Sequence, residues 1–115
     1  MISPAPQTPT RAPETNAMIG VSVTFQYGED FDRAHVASIA ENARETFEGM
    51  PGLRTKVFTI DEAGKRAINF YLWDSADAAR SFFSPQLRAR VAGLYGVVPT
   101  IEFLEIAALV DHTGA

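Results

Sequence analysis

The sequence predicts a single α+β domain whose elements follow the order β-α-β-β-α-β. Two patterns carry this prediction: apolar and polar residues alternate in four stretches, as in strands, and apolar residues recur every three or four positions in two stretches, as in helices. The 115 residues suffice for one hydrophobic core and not for two. We therefore expect all six elements to share one core.

The first two elements are a strand and a helix. Residues 18–27 alternate between apolar and polar side chains, which predicts the first strand. Asp32 is a suitable N-cap, and apolar residues from Val36 to Phe47 follow at helical spacing until Gly49. The apolar residues of the strand are Ile19, Val21, Val23 and Phe25.

An antiparallel hairpin forms the middle of the chain. The Pro51-Gly52 step breaks the first helix and starts a strand over Leu53–Asp61. A turn at residues 62–65 then joins it to a third strand over residues 66–74.

The last two elements are a helix in two parts and a strand. Ser75 is a good N-cap for the second helix, and Ser84-Pro85 restarts it as a short helix that ends at the glycines 93 and 96. Residues 100–110 alternate and predict the final strand. This order is the ferredoxin-like plan, with a four-stranded antiparallel sheet.

The chain divides into a tail and a folded domain. Residues 1–17 contain four prolines among small and polar residues, which predicts a disordered tail, and they lack the apolar stretch of a secretory signal. The ferredoxin-like domain is expected over residues 18–112.

Composition excludes several classes of function. The net charge of −4 does not favour binding to the negatively charged backbone of nucleic acid. No apolar run approaches the ~20 residues that a membrane span requires. Cysteine is absent, the two histidines lie far apart, and no glycine-rich nucleotide loop opens a helix. We therefore expect a soluble, cytoplasmic protein that binds no metal and uses no cofactor, and that has neither a nucleic acid nor a membrane as partner.

The fold plan predicts a homodimer. Two helices can cover only one face of a four-stranded sheet, yet both faces of three of the strands are largely apolar. Apolar patches of that size are unusual on monomers. We expect a second copy to cover the free face, with the two sheets packed against each other.

The third strand has two bulky faces of different character. One is an ordinary apolar stripe and is expected to be core. It consists of Ile68, Phe70 and Leu72. The other is also bulky, but each of its members carries a hydrogen-bonding group. It consists of Asn69, Tyr71 and Trp73. This mixture is typical of the wall of a small-molecule cavity or of a subunit interface, and the sequence pattern does not distinguish these two interpretations.

Four short stretches resemble a known family. They are Met50-Pro51-Gly52-Leu53, Lys56-Val57-Phe58-Thr59, Tyr71-Leu72-Trp73-Asp74 and Phe103-Leu104-Glu105-Ile106. With the element order, they resemble the YdhR-type monooxygenases of the dimeric α/β-barrel superfamily over residues 18 to 112. That superfamily also contains the cofactor-free quinol and anthrone monooxygenases of antibiotic biosynthesis. The resemblance implies a dimeric α/β barrel.

The resemblance also implies a reaction and a site. Some anthrone-oxidising members have an asparagine and a tryptophan four residues apart on the third strand, where they orient and stabilise the deprotonated substrate oxygen. Asn69 and Trp73 match this spacing, and Tyr71 between them could share a proton, so we expect these three residues to be catalytic. The expected reaction is cofactor-independent oxidation of a small hydrophobic quinol or anthrone-like molecule by O₂.

Four further residues are candidates for substrate binding. His35 could reach the cavity mouth or be a surface histidine. Tyr27, at the end of the first strand, could instead be a simple strand-end aromatic. Phe58 and Phe83 are expected to supply apolar walls.

Two other functions on the same scaffold stay open. One is a non-catalytic dimeric protein that binds small molecules or serves in stress. The other is an isomerase or cyclase, which would need a general base such as Glu105 or His35 in the cavity.

Overall fold

A computed structural model describes residues 17–110 of the chain. The predicted tail, apart from Ala17, and residues 111 and 112 of the predicted domain lie outside the described residues. The elements are β1 Ile19–Gln26, a 3-10 turn Gly28–Asp30, α1 Arg33–Phe47, β2 Leu53–Asp61, β3 Arg66–Trp73, α2 Ala76–Phe82, α3 Pro85–Tyr95 and β4 Thr100–Glu105. The predicted order is confirmed, with the second helix divided into α2 and α3.

The four strands form one antiparallel sheet in the order β2-β3-β1-β4. This arrangement, with the helices packed on one face, is the ferredoxin-like fold. β4 ends at Glu105 and not at residue 110 as predicted. The reason lies in its partner: Glu105 pairs with Ile19, the first residue of β1, so no backbone remains for a longer β4 to pair with.

The helix caps follow the sequence pattern. Asp32, Ser75 and Ser84 each accept a hydrogen bond from the backbone N–H three residues later, at 3.2, 3.0 and 3.1 Å. Pro85 is the first residue of α3. The backbone N–H that proline lacks would have no partner within the helix at this position, so no hydrogen bond is lost. The left-handed Gly96, at φ 86°, ends that helix.

The face of β3 that packs under the helices carries Asn69, Tyr71 and Trp73, which are 3, 4 and 1% exposed. The expected core stripe of Ile68, Phe70 and Leu72 lies on the opposite side of the sheet, where Leu72 is buried, Ile68 is half-buried and Phe70 is exposed, so the expectation is confirmed for Leu72 and wrong for Phe70. The register of β3 with the neighbouring strand β1 determines which face of β3 packs under the helices, because the two strands share that face. The fully apolar face of β1 is buried, and Val21 and Val23 of that face stand opposite Tyr71 and Asn69.

β2 contains an irregularity that simple alternation does not reveal. Leu53 is paired with Trp73, but Thr55 is paired with Leu72, so Arg54 forms a β-bulge. Leu53 therefore points to the helices together with Lys56 and Phe58, instead of lying on the face of Thr55. A lysine is thereby directed towards the core side of the sheet.

The other side of the sheet, called the open face below, has no helix on it in the described part of the chain. Val57, Phe70 and Leu104 on this face are 44, 36 and 42% exposed. The Phe70 ring lies over Gly20, where an added Cβ would be 3.0 Å away. Within residues 17–110, no helix is long and apolar enough to cross a membrane.

Candidate functional site

A cavity of about 70 Å³ lies between the sheet and the helices α1, α2 and α3. Its lining is mostly aliphatic and aromatic, with a few polar groups directed inwards from β2, β3 and α3. The polar lining residues are Lys56, Asn69, Tyr71 and Tyr95. An apolar enclosure with few convergent polar groups is typical of small-molecule sites, although such sites usually enclose about 300–1,000 Å³.

Asn69 is held by an aromatic network. Its amide nitrogen Nδ2 donates to the Tyr95 hydroxyl at 3.1 Å. The Tyr95 ring stacks on Phe25 with centroids 3.7 Å apart and planes 6° from parallel. The Tyr27 hydroxyl donates to the backbone carbonyl of Tyr95 at 2.9 Å. The amide of Asn69 is thus oriented before any ligand arrives.

Lys56 and Tyr71 form the second polar pair. The amine Nζ of Lys56 donates to the Tyr71 hydroxyl at 2.8 Å. It also lies 3.5 Å from the ring centroid of Phe47 and 4.1 Å from that of Phe58. Burial lowers the pKa of Lys56 from 10.5 to about 7. Burial also raises the pKa of Tyr71, which stays protonated at neutral pH.

Trp73 is buried beside this pair and not in the cavity wall. Its ring is nearly parallel to that of Tyr71, with centroids 6.0 Å apart, and lies 5.1 Å from that of Phe82. Its indole N–H is buried and has no hydrogen-bond partner within residues 17–110. Most buried donors in folded proteins are paired, so an unpaired one is unusual and calls for a partner.

The remaining predicted residues occupy different positions. Phe58 lines the cavity and meets Phe47 edge-on at 5.9 Å. Phe83 does not line the cavity, and its ring lies 5.0 Å from that of Tyr71. Tyr27 stands outside the cavity and reaches it through Tyr95, and its partial burial raises its pKa to about 12. His35 lies exposed on the first turn of α1.

The structure therefore brings Asn69, Tyr71 and Phe58 together around the cavity. It places Trp73 and Phe83 against Tyr71, one layer away. His35 is separate from this cluster. Glu105, the other candidate base, is exposed at the end of β4 and does not line the cavity.

A surface groove of about 380 Å³ adjoins the cavity, between the end of α1 and β2. Phe47, Lys56 and Phe58 line both spaces and so form the partition between them. Lys56 was not among the residues predicted from the sequence to form the site, although Phe58 and Ile60 on the same face of β2 marked that face as apolar.

Within residues 17–110, no three His, Cys, Asp or Glu side chains are grouped so that they could hold a metal ion. The polar groups of the site are amines, amides, hydroxyls and an indole. These groups can donate hydrogen bonds to an anion and, in the case of Lys56, exchange a proton.

No protein-family model matches the sequence, and no curated protein matches it. Solved structures do match the fold. One is a monooxygenase of Streptomyces coelicolor, solved in complex with nanaomycin D, which is 20% identical, covers 86% of this chain and 96% of its own, and has a TM-score of 0.59. Another is SnoaB of Streptomyces nogalater, a cofactor-independent oxygenase, with 13% identity, 84% and 99% coverage and a TM-score of 0.62. The chain thus has the ferredoxin-like fold of these monooxygenases, as the resemblance in sequence predicted.

Proposed function

We propose that the protein is a cofactor-independent monooxygenase that oxidises a small hydrophobic aromatic molecule, such as a quinol or an anthrone, with O₂. The observation that carries this proposal is the helix-facing side of β3. There Asn69, Tyr71 and Trp73 are nearly completely buried among apolar groups, and the indole N–H has no hydrogen-bond partner in the described part of the chain. Two proteins of the same fold are an oxygenase without a cofactor and a monooxygenase bound to nanaomycin D.

The chemistry requires an anion, oxygen and little water. An anthrone CH₂ loses a proton to give a carbanion whose charge is delocalised onto oxygen. This anion reduces O₂, and recombination gives a peroxide. Protonation of the peroxide and loss of water leave a carbonyl, so one oxygen atom enters the product and the other leaves as water. The substrate supplies all the electrons.

The residues of this chain would act by holding the anion. The Asn69 amide lines the cavity and the Trp73 indole lies one layer away beside Tyr71, and hydrogen bonds from such buried donors to a charge are stronger than in water. The two lie on either side of Tyr71, so they suit different parts of one planar ligand. The surrounding aromatic rings would exclude water from the anion.

The ligand must enlarge the space that it enters. A cavity of about 70 Å³ holds only part of a fused-ring molecule, whereas the adjoining groove adds about 380 Å³. The partition between them consists of side chains, namely those of Phe47, Lys56 and Phe58. Rotation of the two rings would join both spaces into a site of ordinary size for a small ligand.

We also propose that the protein is a homodimer whose sheets pack face to face. Val57, Phe70 and Leu104 form part of an apolar surface on the open face. Contiguous exposed apolar surface marks a site of contact with another molecule. A second copy offers the same apolar surface by symmetry. Sedimentation at micromolar concentration tests this proposal: a dimer is expected, and a stable single protomer would refute it.

Oxygen uptake tests the proposed activity. Protein dialysed against a chelator is mixed with an anthrone in an oxygen electrode, and the spontaneous oxidation of the anthrone is subtracted. We expect uptake with the parent and a loss of roughly 100-fold or more with Asn69→Ala combined with Trp73→Phe, as for other oxyanion donors. Val98→Ala, at a residue 83% exposed, is the matched control and should leave the rate unchanged. Equal rates for parent and double variant would remove these residues from the site.

One observation favours a second candidate, a non-catalytic binding protein of the same fold. Trp73 is buried and does not line the cavity, as expected if the aromatic face served packing. Saturable binding of an anthrone without any oxygen uptake would favour this candidate. The isomerase alternative has no comparable support, since neither His35 nor Glu105 lines the cavity.

A further inference from the structure

Lys56 stands at the point where an incoming ligand would pass. It lies on the helix side of β2, opposite Tyr71 of β3. Together with Phe47 and Phe58 it separates the outer groove from the inner cavity. A molecule that moves from the groove into the cavity passes the partition of which this amine is a part.

The charged groups around Lys56 are engaged elsewhere. On α1, Arg44 pairs with Glu48 at 3.4 Å. On β2, Arg54 pairs with Asp74 at 3.4 Å. Among the described residues, no carboxylate lies within ion-pair distance of the Lys56 amine.

The other groups that face this amine are neutral. They are the Tyr71 hydroxyl at 2.8 Å, the Asn69 amide and the Tyr95 hydroxyl across the cavity, and apolar side chains of α2 and α3. The rings of Phe47 and Phe58 stabilise an ammonium by cation–π attraction but do not neutralise it. Within residues 17–110, the site therefore contains an amine without a counter-ion for its charged form, beside an apolar cavity.

We propose that Lys56 is the proton-exchanging residue of this site and that the ligand is an aromatic molecule with a weakly acidic O–H or C–H group. This inference rests on the proposed monooxygenase function. The neutral amine removes the proton from the substrate, forming a new N–H bond as the substrate bond breaks. The resulting ammonium then pairs with the substrate anion and supplies the counter-charge.

The proton returns at the end of the cycle. After the anion has reacted with O₂, the ammonium gives its proton to the peroxide oxygen and becomes a neutral amine again. The O–O bond and the remaining C–H bond of the peroxide-bearing carbon then break, so that the hydroxyl and this hydrogen leave together as water while the carbonyl forms. No external reductant or further acid is needed, because the proton taken in the first step is the one returned.

The pKa of Lys56, about 7, fits this role, because a base works best when its pKa lies near the operating pH. Tyr71 is a positioning residue in this scheme. Its hydroxyl fixes the amine at the partition, and its raised pKa prevents it from ionising in place of the substrate. A neutral hydrocarbon has no proton to give at this pH, so the site selects acidic aromatics.

The first test uses 1,8-dihydroxyanthraquinone, a dye that O₂ does not oxidise and whose ionised form absorbs at longer wavelength. We expect the parent to bind the dye in its ionised form at a pH at which the free dye is neutral. Lys56→Met should bind it without the long-wavelength band, whereas Lys56→Arg, a permanent cation, should retain the band. Lys65→Met, a change at a lysine paired with Glu29 on the surface, is the matched control and should behave as the parent.

The second test is the pH profile of oxygen uptake with an anthrone. For the parent, kcat/KM should rise with pH and level off above about 7. Lys56→Met and Lys56→Arg should both lose roughly 100-fold or more, since neither side chain exchanges a proton, and the inflection should disappear. Circular dichroism and Trp73 fluorescence establish that each variant is folded.

The outcomes separate the two proposals. A parent that binds only the neutral dye, or a folded Lys56→Met with an unchanged rate and inflection, would overturn the role of Lys56 and leave the monooxygenase proposal standing. Ionisation of the dye by the parent without any oxygen uptake would overturn the monooxygenase proposal and support the anion site alone.

Discussion

Lys56 should make the protein more stable as the pH rises above neutrality. In the unfolded chain its amine has its ordinary pKa of 10.5, whereas in the folded protein burial lowers the pKa to about 7. Between these values the unfolded chain binds more protons than the folded one. The free energy of unfolding therefore increases with pH in this window, because each rise in pH removes part of the cost of burying a charge.

The expected size follows from the shift. One pKa unit corresponds to about 1.4 kcal/mol, so the part-buried ammonium costs the fold several kcal/mol below pH 7. The slope should approach about 1.4 kcal/mol per pH unit. Buried tyrosines act in the opposite direction above pH 10, since unfolded tyrosine ionises there first, so the measurement is best made between about pH 7.5 and 9.5.

The assay is urea unfolding of the parent and Lys56→Met at fixed protein concentration, followed by the fluorescence of Trp73, the one tryptophan of the chain. The stability of the parent relative to Lys56→Met should rise by roughly 2–3 kcal/mol over these two pH units. Lys65→Met, which removes an exposed lysine, should follow the parent. A difference between parent and Lys56→Met that stays constant with pH would refute the claim that this amine is buried without a counter-ion.

Three further changes test other parts of the structure. Gly52→Ala should lower the free energy of unfolding by about 1–3 kcal/mol in urea unfolding, because Gly52 has a φ of 83° and an added Cβ would lie 3.0 Å from that of Ala78; an unchanged midpoint would contradict this. A double-mutant cycle of Asn69→Leu and Tyr95→Phe should give a coupling of about 1 kcal/mol for their buried hydrogen bond, whereas additive effects would deny the contact. Leu104→Glu on the open face should shift the sedimentation of a dimer to that of a protomer and should leave the dye-binding site intact.

Most of the fold could be predicted from local patterns. Strand alternation, the caps at Asp32 and Ser75 and the restart at Pro85 each depend on neighbours in the sequence, and the structure confirms them. The length of β4 could not be predicted, because it depends on where β1 begins. The β-bulge at Arg54 could not be predicted either, since it is defined only by the register of β2 with β3.

The orientation of β3 shows why the site was harder to predict than the fold. Both of its faces are bulky, so alternation alone could not decide which one packs under the helices; pairing with the buried face of β1 decides it. Asn69 and Tyr71 were chosen from their mixed chemistry, and they line the cavity. Lys56 was missed because a charge suggests a solvated face. Its burial depends on contacts with α1 and β3, and contacts between residues distant in the sequence cannot be read from local patterns.

We expect the ligand to bind between the sheet and the helices, against Asn69 and close to Trp73, and not on the open face. NMR of methyl-labelled and ¹⁵N-labelled protein titrated with 1,8-dihydroxyanthraquinone distinguishes the two locations, since ring currents shift nearby signals and one tryptophan gives one indole signal. The signals of the Trp73 indole N–H, the Asn69 side-chain amide and the Leu87 methyls should shift, and those of Val57 and Leu104 should not. Saturable shifts confined to Val57 and Leu104 would place the ligand on the open face and rule out the proposed site.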